Sequence, residues 1–100
     1  MEITVKSPYV NISNHLQQQI IRKFKHVGKQ YQRAITCDIT VLKENNDAQR
    51  THCIEAKLLV PGDVLFCKES AETFEGALNK ASMAMKHQLE KHKEKFEKVN

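Results

Sequence analysis

The chain has 100 residues, 40% of them hydrophobic and 28% charged, and its 16 Lys and Arg outnumber 12 Asp and Glu for a formal net charge of +4. That size and balance imply one folded domain, residues 1–100, and exclude a disordered polyelectrolyte; no apolar run approaches the ~20 residues that a bilayer span requires. The positive balance leans towards an acidic partner without identifying one, so the placement of charge has to carry the argument.

Met1, Ile3 and Val5 alternate with Glu2, Thr4 and Lys6, the pattern of a strand with one buried face. Ser7-Pro8 ends it. Ser13 or Asn14 can cap a helix whose apolar stripe, Leu16, Ile20, Phe24, Val27 and Tyr31, runs to about Tyr31. Gly28 falls inside this pattern and weakens it by about 1 kcal/mol relative to Ala. Ile35, Cys37, Ile39 and Val41 alternate with Thr36, Asp38 and Thr40 as a second strand, and Glu44-Asn45-Asn46-Asp47 reads as a turn. Ile54, Ala56, Leu58 and Val60 alternate with Glu55, Lys57 and Leu59 as a third strand, followed by the hairpin signal Pro61-Gly62-Asp63. Val64 to about Lys68 forms a fourth strand whose inward face is undetermined, because Val64, Leu65, Phe66 and Cys67 are all apolar. Glu69 to Glu72 connects it to a last helix from Phe74 to Asn100, with Thr73 as its cap. The order β-α-β-β-β-α predicts an α+β domain: a four-stranded mixed sheet with both helices on one face and the other face wet.

The helices sort their charges. In the last helix Phe74, Leu78, Ala81, Met85, Leu89 and Phe96 form the apolar stripe. At about 100° per residue, Lys80, His87, Lys91, Lys95 and Lys98 fall on one flank and Glu75, Glu90 and Glu97 on the other. In the first helix Arg22, Lys23, Lys25, His26 and Lys29, with Arg33 just beyond, cover the arc away from the stripe, and no acid lies between Ser7 and Ile35. Helices side by side on one sheet face would merge these flanks into a basic surface for phosphates, with binding that weakens steeply in salt. A charged helix face is also simply a solvated one, and the i,i+4 pair Glu94–Lys98 would support an exposed helix by itself. His92 lies on the apolar stripe and reads as a packed residue rather than a base or ligand.

Cys37, Cys53 and Cys67 are odd in number and contain no Cys-x-x-Cys pair, which suits reduced thiols in the cytoplasm better than a disulfide frame. The N-terminus lacks the basic start and apolar core of a signal peptide. Alternation puts Cys37 with the buried set and Cys53 with the exposed set, so the thiols and His52 need not converge on a metal or a substrate. No phosphate-cradling glycine loop and no Ser/His/Asp arrangement is present. The expectation is a protein without catalysis, metal, cofactor or small-molecule substrate. A generic double-stranded-RNA-binding domain is an alternative that the extra N-terminal strand argues against. A protein-interaction domain using Leu42, Leu59 and Phe66 on the open sheet face is another.

The chain resembles the ribosome hibernation promoting factors and their ribosome-associated inhibitor relatives over nearly its whole length. The resemblance runs from Ile12-Ser13 through Leu16, Ile20, Lys23-Phe24, Val27 and Arg33 to the block Thr73-Phe74-Glu75-Gly76-Ala77-Leu78-Asn79. Its most specific part is the run Gln88-Leu89-Glu90-Lys91-His92-Lys93-Glu94-Lys95. It implies binding to ribosomal RNA of the small subunit between head and body, over the decoding region, where messenger and transfer RNA are excluded and ribosomes become inactive, often as dimers, in stress or stationary phase. It also implies the short form, without the long form's C-terminal extension domain, and with no membrane partner; a monomer in solution is expected. The family's basic positions fall on Lys23, Arg33, Lys91 and Lys93, and the expected RNA-binding set is Arg22, Lys23, Lys25, His26, Lys29, Arg33, Lys80, Lys86, His87, Lys91, Lys93 and Lys95. Thr73-Phe74-Glu75 stands where the family often has Asp-Met-Tyr. Ala84 and His87 stand where it often has Lys and Arg, which thins the cationic row, leaves Lys80 and Lys86 to compensate, and puts a titratable imidazole in it.

Overall fold

The computed structural model of the protein describes residues 1–46 and 49–97, the side chains of 45–46, 49–50 and 96–97 excepted. The elements follow the expected order: β1 (Glu2–Lys6), α1 (Asn14–Gly28), β2 (Thr36–Asn46), β3 (Gln49–Val60), β4 (Asp63–Ala71) and α2 (Phe74–Glu97). The sheet order is β1-β2-β3-β4, with β1 parallel to β2 and the two later pairs antiparallel. α1 is thus the crossover between two parallel neighbours, and β2, β3 and β4 form a meander.

Several boundaries differ from the sequence reading for local reasons. α1 stops at Gly28, with Lys29 as its C-cap, so Gly28 ends the helix instead of interrupting it. Tyr31 still belongs to the core, at 4% exposure, but from the loop beyond the helix. Glu44, Asn45 and Asn46 continue β2 in place of the expected turn, and Asp47 lies outside the described residues. β4 runs on to Ala71, absorbing most of the expected connector, because its pairing with β3 continues to His52↔Ala71. Ile35 precedes β2 and is exposed; its amide donates to the Leu59 carbonyl at 2.8 Å. Between β3 and β4 the two-residue turn places Pro61 second and Gly62 third, and Gly62 has the φ of 82° that a type II turn demands there. The helix starts match expectation: Leu16 N–H donates to Ser13 Oγ, and Gly76 N–H to Thr73 Oγ1, each at 3.0 Å.

The core lies between the sheet and the two helices. Cys37, Ile39 and Val41 of β2 and Ile54, Ala56, Leu58 and Val60 of β3 point into it, against Ile20, Phe24 and Val27 of α1 and Leu78, Ala81, Met85 and Leu89 of α2. The structure resolves β4: Leu65 and Cys67 face inward, while Val64 and Phe66 face out. α2 lies over β3 and β4, and α1 beside β1. Small residues permit the close approach of α2, whose Ala81 carbonyl accepts from Cys67 Sγ at 3.4 Å. Its side chains also cover the outer edge of β4: Gln88 Nε2 donates to the Phe66 carbonyl at 2.6 Å and Lys80 Nζ to the Ser70 carbonyl at 3.1 Å. A free strand edge is thereby masked from pairing with another chain.

Cys53 departs from expectation. Its register places it on the open face, between Leu42 and Ser70 of the flanking strands, yet it is fully buried, with Sγ 3.4 Å from Ser70 Oγ. The thiol also lies 3.8 Å from the Thr51 carbonyl of its own strand.

Candidate nucleic-acid interface

Each helix contributes cations through a different part of its surface. Arg22, Lys23 and His26 line a shallow cleft on α1 together with Gln19. The next groove is shared between helices: His26, Val27, Lys29 and Gln30 from the end of α1 face Lys86 of α2. Gln30 ties the two sides together, donating through Nε2 to the Lys86 carbonyl at 3.5 Å and accepting at its own carbonyl from Lys93 Nζ at 2.7 Å. Lys25 turns the other way, towards β1, lining a hollow with Met1, Gly28 and Lys29. Arg33 is exposed in the turn between α1 and β2.

The cationic row of α2 does not join this groove. Lys91 and Lys95 line a separate hollow with Gln88, His92, Asp63 and Leu65, at the turn between β3 and β4. Lys80 is directed at the outer edge of β4. The row therefore lies on the flank of α2 that faces away from α1. Lys86 and Lys93, which the spacing leaves out of the row, are the ones that meet α1. His87 is exposed between the two flanks. Lys98 and the side chain of Phe96 lie outside the described residues. The expected single merged surface is thus two surfaces, because α2 sits over β3 and β4 and turns the Lys80–Lys91–Lys95 flank outward past the sheet edge.

The electrostatics of these flanks are open to a ligand. Among the described residues Arg22, Lys23, Lys25, Lys29, Arg33, Lys86 and Lys91 make no ion pair. Glu44 and Glu55 are engaged on the opposite sheet face by Lys68, whose ammonium is held above its ordinary range chiefly by its hydrogen bond to Glu44. The helix face is cation-rich, while the open sheet face carries mixed charge and a small apolar patch of Leu59, Val64 and Phe66; Leu42 belongs to the other end, beside Cys53. His92 packs as its place on the stripe implies, 4% exposed and edge-on to Tyr31 with ring centres 5.5 Å apart.

Two residues of the interface escaped the sequence reading. Gln30 joins the end of α1 to Lys86 and Lys93, and Gln88 ties the middle of α2 to the Phe66 carbonyl of β4; a glutamine beyond a helix or on its flank carries no signal that it will do so. No three metal-ligating side chains gather among the described residues. Burial pushes the Cys37 thiol up to about 12 and the Cys67 thiol up to about 11, the opposite of an activated nucleophile. No described helix is long and apolar enough to cross a membrane.

A family model described as Sigma 54 modulation protein / S30EA ribosomal protein matches residues 3–97. A ribosome hibernation promoting factor from Acinetobacter guillouiae is 25% identical over 99 residues, spanning 93% of this chain and 88% of the relative. A ribosomal subunit interface protein from Coxiella burnetii has a TM-score of 0.81 at 17% identity, covering 93% of this chain and 98% of its own. The N-terminal domain of Protein Y from Thermus thermophilus has a TM-score of 0.75 at 12% identity, covering 92% and 99%. The last two likenesses establish a shared fold.

Proposed function

Because the chain belongs to the sigma 54 modulation protein / S30EA ribosomal protein family, we propose that it is a ribosome hibernation factor that binds small-subunit ribosomal RNA near the decoding region, obstructs messenger and transfer RNA, and so inhibits translation. The observation that carries this reading is the groove between the helices, where His26 and Lys29 meet Lys86 beside Lys23 and Lys93. Ammonium and guanidinium groups on such a surface contact phosphates and release counterions, supplying affinity with a strong salt dependence. Phosphate contacts carry no base information, so recognition falls to the shape of a folded RNA, which a rigid two-helix surface can match. The protein acts as a steric obstacle in the cytoplasm, with no bond made or broken, and works as a monomer without a cofactor.

Sedimentation with purified small subunits tests this directly. Co-migration at low salt that is lost as salt rises, together with inhibition of translation in vitro, is the expected result. Absence of co-migration at low salt would sink it. Charge reversal at Lys23, Arg33 and Lys91 together should abolish inhibition while leaving the circular dichroism spectrum unchanged.

A further inference from the structure

The sheet has an outer edge at each end, and the two are treated differently. Lys80 and Gln88 donate to carbonyls of β4, whereas β1 has no strand on its far side among the described residues. The amide of Glu2 donates to the Ile35 carbonyl at 3.1 Å, and β1 runs parallel to β2 from Glu2↔Thr36 to Lys6↔Thr40. Backbone groups alternate sides along a strand, so those of Glu2, Thr4 and Lys6 face β2 and those of Ile3 and Val5 face outward. Among the described residues these outward groups make no hydrogen bond. The side chains of Ile3 and Val5 pack against the core yet stay half-buried, whereas Cys37 and Ile39 beside them on β2 are fully buried. What they lack is a neighbour on the open edge. On the wet face Glu2 stands beside Thr36 and Lys6 beside Thr40, so neither meets an opposite charge on β2, and neither makes an ion pair among the described residues.

We infer that this edge is a pairing site for a second copy of the chain, β1 against β1, antiparallel about a two-fold axis through Thr4. The segment Glu2-Ile3-Thr4-Val5-Lys6 is complementary to its own reverse. In this register Ile3 lies opposite Val5 of the second copy, and their outward N–H and C=O groups exchange as hydrogen-bonded pairs. Thr4 meets Thr4 as the closer, non-hydrogen-bonded pair. Glu2 faces Lys6 on the wet side at both ends, and Ile3 and Val5 complete each other's cover on the core side. Registers centred on Ile3 or Val5 keep the backbone parity but set Glu2 against Thr4 or Pro8, and lose both charge pairs. The assembly closes at two copies, because pairing uses both β1 edges and the β4 edges are masked by Lys80 and Gln88. Lys6 and Pro8, residue types that discourage pairing at strand edges, here confine it to one short register. The contact is small and belongs with weak, concentration-dependent interfaces. It concerns the free chain; the ribosome-bound monomer proposed above uses the helix surface, and the pairing does not rest on that reading.

Sedimentation equilibrium of the full chain tests the pairing. The mass should rise from 11.5 kDa towards twice that value between micromolar and millimolar concentration, and a constant monomer mass throughout would overturn the inference. Glu2→Lys and Lys6→Glu are exposed changes away from the helix surface, and each should weaken self-association by roughly tenfold by opposing like charges. Mixing the two variants should restore association as a heterodimer, and the double swap in one chain should restore it as well. Self-association that survives both single changes, or a mixture no better than either variant alone, would place the contact elsewhere and overturn the inference. Thr4→Cys adds a covalent readout. The Cα atoms of a non-hydrogen-bonded antiparallel pair lie about 4.5 Å apart, within disulfide range, and the native thiols Cys37, Cys53 and Cys67 are buried. Mild oxidation should link Thr4→Cys chains to one another and leave Asp38→Cys chains, one strand further in on the same face, unlinked. Equal linking of the two would overturn the proposed register.

Discussion

Lys93 Nζ donates to the backbone carbonyl of Gln30 at 2.7 Å, joining the distal half of α2 to the chain just beyond the end of α1 across 63 residues of sequence. Carbonyls there lack partners within α1 and attract cations, so an ammonium is suited to the position. Lys93 thus serves the fold as well as any phosphate. Lys93→Met should lower stability by about 1 kcal/mol in urea unfolding. Lys91→Gln, a change on the exposed far flank, should leave the urea midpoint within about 0.5 kcal/mol of the parent.

Phe24 is 1% exposed at the centre of the core, between α1 and the sheet. Phe24→Ala should cost about 3–5 kcal/mol, through lost transfer energy and the cavity left behind. Domains of this size have about 5–15 kcal/mol in total, so the variant should be largely unfolded at modest denaturant. Equilibrium unfolding checks this, and a cost below about 1 kcal/mol would show that the site can collapse or that Phe24 packs loosely.

The two helix caps are local and far apart in sequence. Ser13→Ala and Thr73→Ala should each cost about 1 kcal/mol by removing the acceptor for Leu16 N–H or Gly76 N–H. The double variant should show the sum within about 0.5 kcal/mol. Thermal melts of the four proteins close the cycle.

Alkaline pH should destabilise the fold through its buried thiols. Burial raises Cys37 to about 12 and Cys67 to about 11 from an ordinary value of 9.0, with Asp38 and Glu69 adding to the effect. Below pH 9 both thiols are protonated in folded and unfolded chains, and the stabilisation is fully present. Above pH 9 the unfolded chain releases these protons while the folded one retains them. Each thiol then removes about 1.4 kcal/mol per pH unit until its folded value is reached. Urea midpoints at pH 8, 9 and 10 should fall in that order. In a Cys37→Ala, Cys67→Ala variant the fall should be shallower, and an equal slope would refute the thiol origin.

The element order, both helix caps, the Pro61-Gly62 turn and the core stripes were legible in the sequence, because periodicity, capping and turn chemistry are local properties of the chain. Phe24, Leu78, Met85 and Leu89 announce their burial by spacing alone, and the cation-rich, acid-free character of α1 is plain in its composition. Tertiary structure decided what depends on neighbours distant in sequence. The inward face of β4 was ambiguous in four consecutive apolar residues until pairing with β3 turned Leu65 and Cys67 inward. Cys53 is covered by flanking strands that spacing cannot see. Above all, a helical wheel shows which lysines share a flank, but not what the flank faces. The seat of α2 over β3 and β4 sends Lys86 and Lys93 to α1 and Lys80, Lys91 and Lys95 to the sheet edge, because a helix's rotation is set by the apolar stripe it buries and its neighbours by where on the sheet it lies.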